Sequence, residues 1–272
     1  MAIAFPLDNK IRFNAKKIIV CCGGIESVKL IQNSLSQRKL RDLKNKNLIG
    51  KYFMDHPKFD LGYLKYPKED IINQIELTKK NNFITYYGIS LKRNIQKKKN
   101  LLNSYVRFEK PNIKISRFLD TFNIPIIKDI FKSKKIVRVK LFCEMMPNVN
   151  NSIISKKNNT SVMLRPSVID YKTIEFLANE IKFFFSFKPE NERNFNFNNL
   201  INRAKGASHH MGGLRFDPNK NLSVVDKNLK IIGLKKIYVC SSAIFPTSGS
   251  VNPTMTLCAL SNKLGDHLRK YL

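Results

Sequence analysis

The chain has 272 residues, 43% hydrophobic and 25% charged, the balance of a globular protein with a substantial core. No apolar run approaches the ~18 residues of a membrane-spanning helix, and the N-terminus, Met1-Ala2-Ile3-Ala4-Phe5-Pro6, does not read as a secretion signal. A net charge of +29 admits a polyanion partner. The lysines, however, are scattered along the whole length among abundant Asn, Ile and Phe, a bias that an AT-rich genome could produce, and no nucleic-acid-binding motif accompanies them.

Lys16–Cys22 is a short continuous apolar run, the pattern of a strand buried on both faces. Gly23-Gly24 breaks it, and Ile25–Gln32 reads as a helix, which gives the strand–turn–helix unit of a nucleotide-binding α/β layer. Leu48–Pro57 follows, ending in Asp55-His56-Pro57. Beyond Pro57 the texture changes. Lys58–Leu64 alternates with Phe59, Leu61 and Tyr63 on one face, and Phe83–Ser90 is a further strand candidate. Lys135–Met145 sets Val137, Val139, Leu141 and Cys143 against Arg138, Lys140 and Glu144. This half-buried alternation predicts an antiparallel sheet. Pro111–Lys134 reads as irregular or helical, and the lysine groups Lys97–Lys99 and Lys132–Lys135 as solvated loops. Tyr171–Lys188 places Ile174, Leu177, Ala178, Ile181 and Phe185 at helical spacing.

From Arg203 the α/β texture returns. Ile237–Cys240 reads as a buried strand, and a helix opens at Asn252-Pro253 with Asn252 at the cap and Pro253 in the first turn. Leu257, Leu260, Leu264 and Leu268 form its buried stripe, and Arg269 and Lys270 suit its C-terminal end. The expected class is therefore α/β plus α+β: a Rossmann-like layer in two pieces, residues 1–56 and 203–272, with an antiparallel-sheet domain, 57–202, inserted between them.

The five cysteines, Cys21, Cys22, Cys143, Cys240 and Cys258, form no C-x-x-C pair and sit in apolar segments, so buried free thiols in a reducing, cytoplasmic setting are expected. The histidines His56, His209, His210 and His267 are not interleaved with them at ligand spacing, and no metal site is expected.

Two polar signals stand out. His209 lies in Ser208-His209-His210-Met211-Gly212-Gly213, and Asn252 in Phe245–Thr254. Imidazole titrates near neutral pH and suits proton transfer, and an amide beside a helix start can stabilise a developing anion. Either residue alone is more often structural.

In order, these segments resemble the C-terminal half of the glucose-methanol-choline (GMC) family of flavin oxidoreductases. Lys17–Leu30 is similar to the family's strand–Gly-Gly–helix segment, Leu48–Pro57 to its "VG-aromatic-x-DHP" segment, and Cys143–Asn148 to "E-Q-x-P-N". His209–Phe216 is similar to "H-x-x-G-T-x-R-M", and Val224–Leu268 to the C-terminal signature. Gly213 replaces the usual Thr, Phe216 the usual Met, and Ser241-Ser242-Ala243 stands where many members have Asp-Ala-Ser. The resemblance implies FAD as cofactor and oxidation of an alcohol, sugar or polyol CH–OH donor by hydride transfer, with His209 as base and Asn252 as its partner. It implies cofactor contacts at Gly23, Gly24, Ser241, Ser242, Pro253 and Thr254, and a substrate side that includes His210 and Glu144. His56 is expected to fix the crossover between domains.

The G-x-G-x-x-G phosphate cradle that opens the family's fold does not occur in these residues. An N-terminal FAD-binding half on another chain, or missing, is therefore expected. Two other readings remain: a non-catalytic remnant or split-gene subunit needing that partner, and a basic polyanion-binding protein.

Overall fold

A computed structural model describes residues 2–4, 11–35, 43–65, 78–80, 83–85, 88–109, 136–156, 159–185 and 206–270. The segments 111–134 and 186–205, with Lys132–Lys135, lie outside the described residues, as do position 203 and the end of the helix expected to run to Lys188.

The apolar run at Lys16–Cys22 forms strand β3 (Ile18–Val20), after the short antiparallel pair β1 (Ala2–Ala4) and β2 (Ile11–Phe13). Helix α1 (Gly23–Ser34) begins directly at the Gly-Gly turn. Gly23 takes φ +75°, a left-handed conformation that favours glycine, and an added Cβ there would meet nothing within 4 Å. Gly24 answers to a different constraint: a Cβ at that position would sit 2.1 Å from the carbonyl oxygen of His210. This close approach lets α1 pack directly on the chain that carries the two adjacent histidines. Alanine is the better helix former by about 1 kcal/mol, but the clash reverses the sign. Gly24→Ala is expected to destabilise the fold by roughly 1–3 kcal/mol, read as a lowered denaturant midpoint.

The antiparallel layer is a four-stranded sheet in the order β4-β9-β8-β7, comprising β4 (Lys58–Lys65), β7 (Gly88–Ser90), β8 (Ser104–Glu109) and β9 (Ile136–Cys143). The expected strand at Phe83–Ser90 is broken. Phe83–Thr85 is β6, a hairpin partner of β5 (Thr78–Lys80), and only Gly88–Ser90 joins the large sheet. The alternation expected along Lys58–Leu64 is interrupted by a register shift between Asp60 and Gly62, so position 63 pairs with Arg138 instead of continuing the Phe59 row. Lys97–Lys99 lie in the last turn of a short helix, α2 (Arg93–Lys99), exposed as expected but not in a loop.

Two buried clusters result. One joins Phe59, Leu61, Val106, Phe108, Val139, Leu141 and Cys143 of the sheet to Ile174, Leu177, Ala178 and Ile181 of helix α3 (Val168–Phe185), whose spacing matches the expected apolar stripe. The other is built around Val20, Val28, Ile31, Met54, Met211, Ile231, Val239 and Leu264. It includes Ile153 of β10 (Ser152–Lys156), which pairs with β11 (Asn159–Met163) and lies against α1. Strand β12 (Ile237–Val239) pairs parallel with β3, with Val239 opposite Val20, which restores the α/β layer late in the chain. Helix α4 (Thr254–Arg269) buries Leu264 and Leu268 against this cluster, with Leu257 and Leu260 partly buried beside it.

Two expectations change. Helix α4 is capped by Pro253, with no side-chain cap bond, and begins at Thr254; Asn252 is exposed, one residue outside the cap. Proline cannot donate an N–H and tolerates the cap region, so the start moves past it. The cysteines are all free, but only Cys143 is fully buried, where burial pushes its thiol up to about 12. Cys21, Cys22 and Cys258 are exposed and Cys240 is intermediate. An apolar neighbourhood in sequence does not bury Cys21 and Cys22, because they leave the C-terminal end of β3 for an open turn.

Candidate active site

The chain segments around residues 50–54, 211–216 and 242–244 run side by side, and this positions the site. Met54 and Met211 exchange both backbone hydrogen bonds at 2.8 Å. The Gly50 amide donates to the Gly213 carbonyl at 2.6 Å, and the Gly213 amide to the Lys51 carbonyl at 3.0 Å. On the other side the amides of Gly212, Leu214 and Phe216 donate to the carbonyls of Ser242, Ala243 and Ile244. At Gly212, φ is +81° and an added Cβ would lie 2.0 Å from the Tyr52 carbonyl oxygen. The glycine at this position is thus required for the 50–54 and 211–213 segments to touch.

That contact sets Asp55-His56 against Ser208-His209. The Asp55 carboxylate accepts from the amides of His56 (2.8 Å), Ala207 (3.0 Å) and His209 (3.4 Å). It is buried, so the bonds it accepts are charge-assisted in a shielded place. His56 is fully buried and His209 half-buried; Nδ1 of His209 lies 2.6 Å from Nε2 of His56, with the rings stacked at 4.6 Å between centroids. Nδ1 of His56 has no hydrogen-bond partner among the described residues.

Both rings favour the neutral form. Burial lowers the His56 pKa to about 4, reinforced by His209 and opposed by Asp55. Burial likewise lowers that of His209, helped by Lys58 and opposed by Asp55. His56 therefore gains its proton in the unfolded chain near pH 6.5 and in the folded one only near pH 4. Between those values the unfolded state binds more protons, so stability falls as pH falls through this window and rises as pH rises. The loss attributable to His56 is roughly 3 kcal/mol. It is measured by comparing denaturant midpoints of the wild type and His56→Gln from pH 7 to pH 4, where the variant should show the shallower decline.

The other expected site residues fall into place around this pair. The His210 carbonyl accepts from the Ser242 hydroxyl at 2.6 Å and backs onto Gly24, while the His210 ring leans towards Phe53 with 5.8 Å between centroids. Ser241 is buried, and its Oγ accepts from the Ala243 amide at 3.3 Å. Glu144 exchanges bonds with Asn103 at the edge of the sheet: its Oε2 accepts from the Asn103 amide at 3.0 Å, and its own amide donates to the Asn103 carbonyl at 2.9 Å. Asn252, Pro253 and Val251 line a cavity of about 390 Å³ with Phe216, Leu229, Ile244, Phe245, Lys227 and Lys263. His209 does not line that cavity. Ser248 ties the same loop to the sheet: its hydroxyl accepts from the Met145 amide at 2.9 Å.

The structure thus brings together His209, His56 and Asp55, and through the backbone His210, Gly24 and Ser242. Asn252, Pro253 and Thr254 stand at the start of α4, and Asn252 and Pro253 line the separate cavity away from His209. The direct contact of His56 with His209 was not foreseen, because Asp55-His56-Pro57 was read as a domain crossover. Among the described residues no group of three or more His, Cys, Asp or Glu is placed to hold a metal ion, and no helix is long and apolar enough to cross a membrane.

The same architecture recurs in solved oxidases and in a solved oxidoreductase. Pyridoxine 4-oxidase from Mesorbium loti superposes with a TM-score of 0.64 at 12% identity, over 98% of this chain and 54% of that one. An FAD-dependent oxidoreductase from Chaetomium thermophilum gives 0.59 at 13%, over 98% and 57%. The R554K variant of formate oxidase from Aspergillus oryzae RIB40 gives 0.56 at 16%, over 97% and 56%. The chain spans little more than half the length of these structures. No curated protein matches it. The fold is one that this chain shares with about half of each of these solved structures. Residues 155–261 match the family model described as GMC oxidoreductase.

Proposed function

We propose that this chain supplies the substrate-side half of an FAD-dependent oxidoreductase that oxidises a CH–OH donor, a sugar, polyol or other alcohol. The observation that carries the reading is His209: it lies within the family-matched region and is held by Asp55 and His56 in an environment that keeps its ring neutral. A neutral imidazole can accept the hydroxyl proton of an alcohol. The exposed Asn252 amide would donate to the oxygen as negative charge develops there. FAD, when bound, supplies the acceptor for the hydride.

The residues present fit such a group. The turn at Cys21–Gly23 is exposed and open beside Gly23, and helix α4 carries no side-chain cap, so its first amides remain available to an anion. Gly23, Gly24, Ser241, Ser242, Pro253 and Thr254 would hold the cofactor, with Gly24 acting by letting α1 approach His210. His210 and Glu144 would face the substrate side. The division into a flavin layer (1–56 and 203–272) and a substrate domain (57–202) is part of the same reading. It is supported by the two separate buried clusters, with the β10–β11 hairpin packed on the flavin layer. The free thiols suit a reducing, cytoplasmic setting.

A second reading, a subunit or remnant that acts only beside a partner carrying the strand–G-x-G-x-x-G–helix unit, is favoured by the exposed apolar side chains Ile19 and Leu30 on the β3–α1 layer. One experiment tests both. The 272 residues are expressed alone and together with whatever is encoded directly upstream, and the visible flavin spectrum is recorded before and after adding alcohols and sugars. A yellow protein that is bleached by a CH–OH donor only when the upstream segment is present is the expected result. Bleaching by the 272 residues alone would overturn the need for that segment, and a flavoprotein that no alcohol or sugar bleaches would overturn the oxidoreductase reading.

A further inference from the structure

We propose that His56 is a positioning residue for His209: its Nε2 accepts the Nδ1–H of His209 and so fixes the tautomer that leaves Nε2 of His209 with a free electron pair. The inference rests on the reading of His209 as the base.

Two ring nitrogens 2.6 Å apart share one proton, since two lone pairs or two N–H groups at that distance would repel. Both rings are neutral near pH 7, because burial disfavours the cation in each. One shared proton allows two arrangements. If His56 donates, His209 carries its own proton on Nε2 and has no lone pair to offer. If His209 donates, its Nε2 is unprotonated and can receive a proton from a hydroxyl. Only the second arrangement makes a base. In that arrangement the buried His56 Nδ1–H has no partner among the described residues, a cost that the short Nδ1–Nε2 bond must offset.

The geometry leaves His56 little freedom to do otherwise. Its amide is tied to Asp55, its segment is locked to Met211 by two backbone bonds, and its ring stacks on that of His209. When His209 accepts a proton, the same hydrogen bond becomes charge-assisted and steadies the cation. The proton stays on His209, because His56 is fully buried and has no described partner to pass a proton to.

The test reads the tautomer directly and needs no flavin. Long-range 1H–15N spectra of the 15N-histidine-labelled 272-residue chain at pH 7.5 should show His209 protonated at Nδ1 and unprotonated at Nε2, the reverse of free histidine in water. His56→Gln places an amide oxygen where Nε2 stands and should keep that pattern. His56→Leu offers no acceptor and should move the proton to Nε2, with an unchanged His267 signal reporting an intact fold. An Nε2–H tautomer in the wild type, or an Nδ1–H tautomer that persists in His56→Leu, overturns the proposal. If His56→Leu does not fold, the wild-type spectrum decides. The base reading fails separately, through undiminished flavin reduction in His209→Ala, whichever tautomer the spectra show.

Discussion

His209→Ala will slow substrate reduction of the flavin by roughly 10²–10⁴-fold, the range that a positioned general base contributes, while the flavin itself stays bound. The residue is half-buried and its ring contacts His56, whereas the loop that carries it is held through its backbone by Asp55. Removing the imidazole therefore leaves the loop tied down and removes the proposed proton acceptor. Stopped-flow reduction of the flavin-loaded protein reads the loss, and the flavin absorbance before mixing confirms that cofactor is present. Rates equal to wild type would remove His209 from the chemistry.

Asn252→Ala is expected to cost about 10²–10³-fold in the same rate, the scale of one lost hydrogen-bond donor to an oxyanion. Its location makes this a clean measurement. Asn252 is exposed and lies outside the helix that Pro253 caps, between Val251, 61% exposed, and the α4 start where Met255 is 83% exposed. Truncating such a side chain should leave stability within about 0.5 kcal/mol of wild type. A fall in rate without a fall in melting temperature supports the role; an unchanged rate removes it.

Much of the architecture was legible in the sequence, for identifiable reasons. Ile18–Val20 and Ile237–Val239 are continuous apolar runs, and they do pair as parallel strands. The alternation at Val139, Leu141 and Cys143 and the helical spacing of Ile174, Leu177, Ala178 and Ile181 read directly as the two halves of one buried cluster. What periodicity could not show was interruption. A one-residue bulge at Leu61 and the break within Phe83–Ser90 leave the local pattern of residue types unchanged and shift only the register. Exposure of Cys21 and Cys22 was equally invisible, since it depends on what packs over the end of β3.

The site was legible residue by residue but not as an arrangement. Motif order picked out His209 and Asn252, yet the partner of His209 is 153 positions away and comes from a segment read as a hinge. Nothing local in Asp55-His56-Pro57 announces that partner. It follows from a backbone pairing, Met54 with Met211, and from a glycine, Gly212, that allows it.

Asp55 carries a consequence of a different order. Its carboxylate binds the amide just after it in sequence and that of Ala207, 152 positions later, so the chain that carries the four-stranded sheet is fastened at both ends to one side chain. The same segment is tied in again where the Ile153 amide donates to the Gly50 carbonyl and where Ser248 accepts from the Met145 amide. Changes of length that fall between these ties would leave Asp55, His56 and His209 in register with one another.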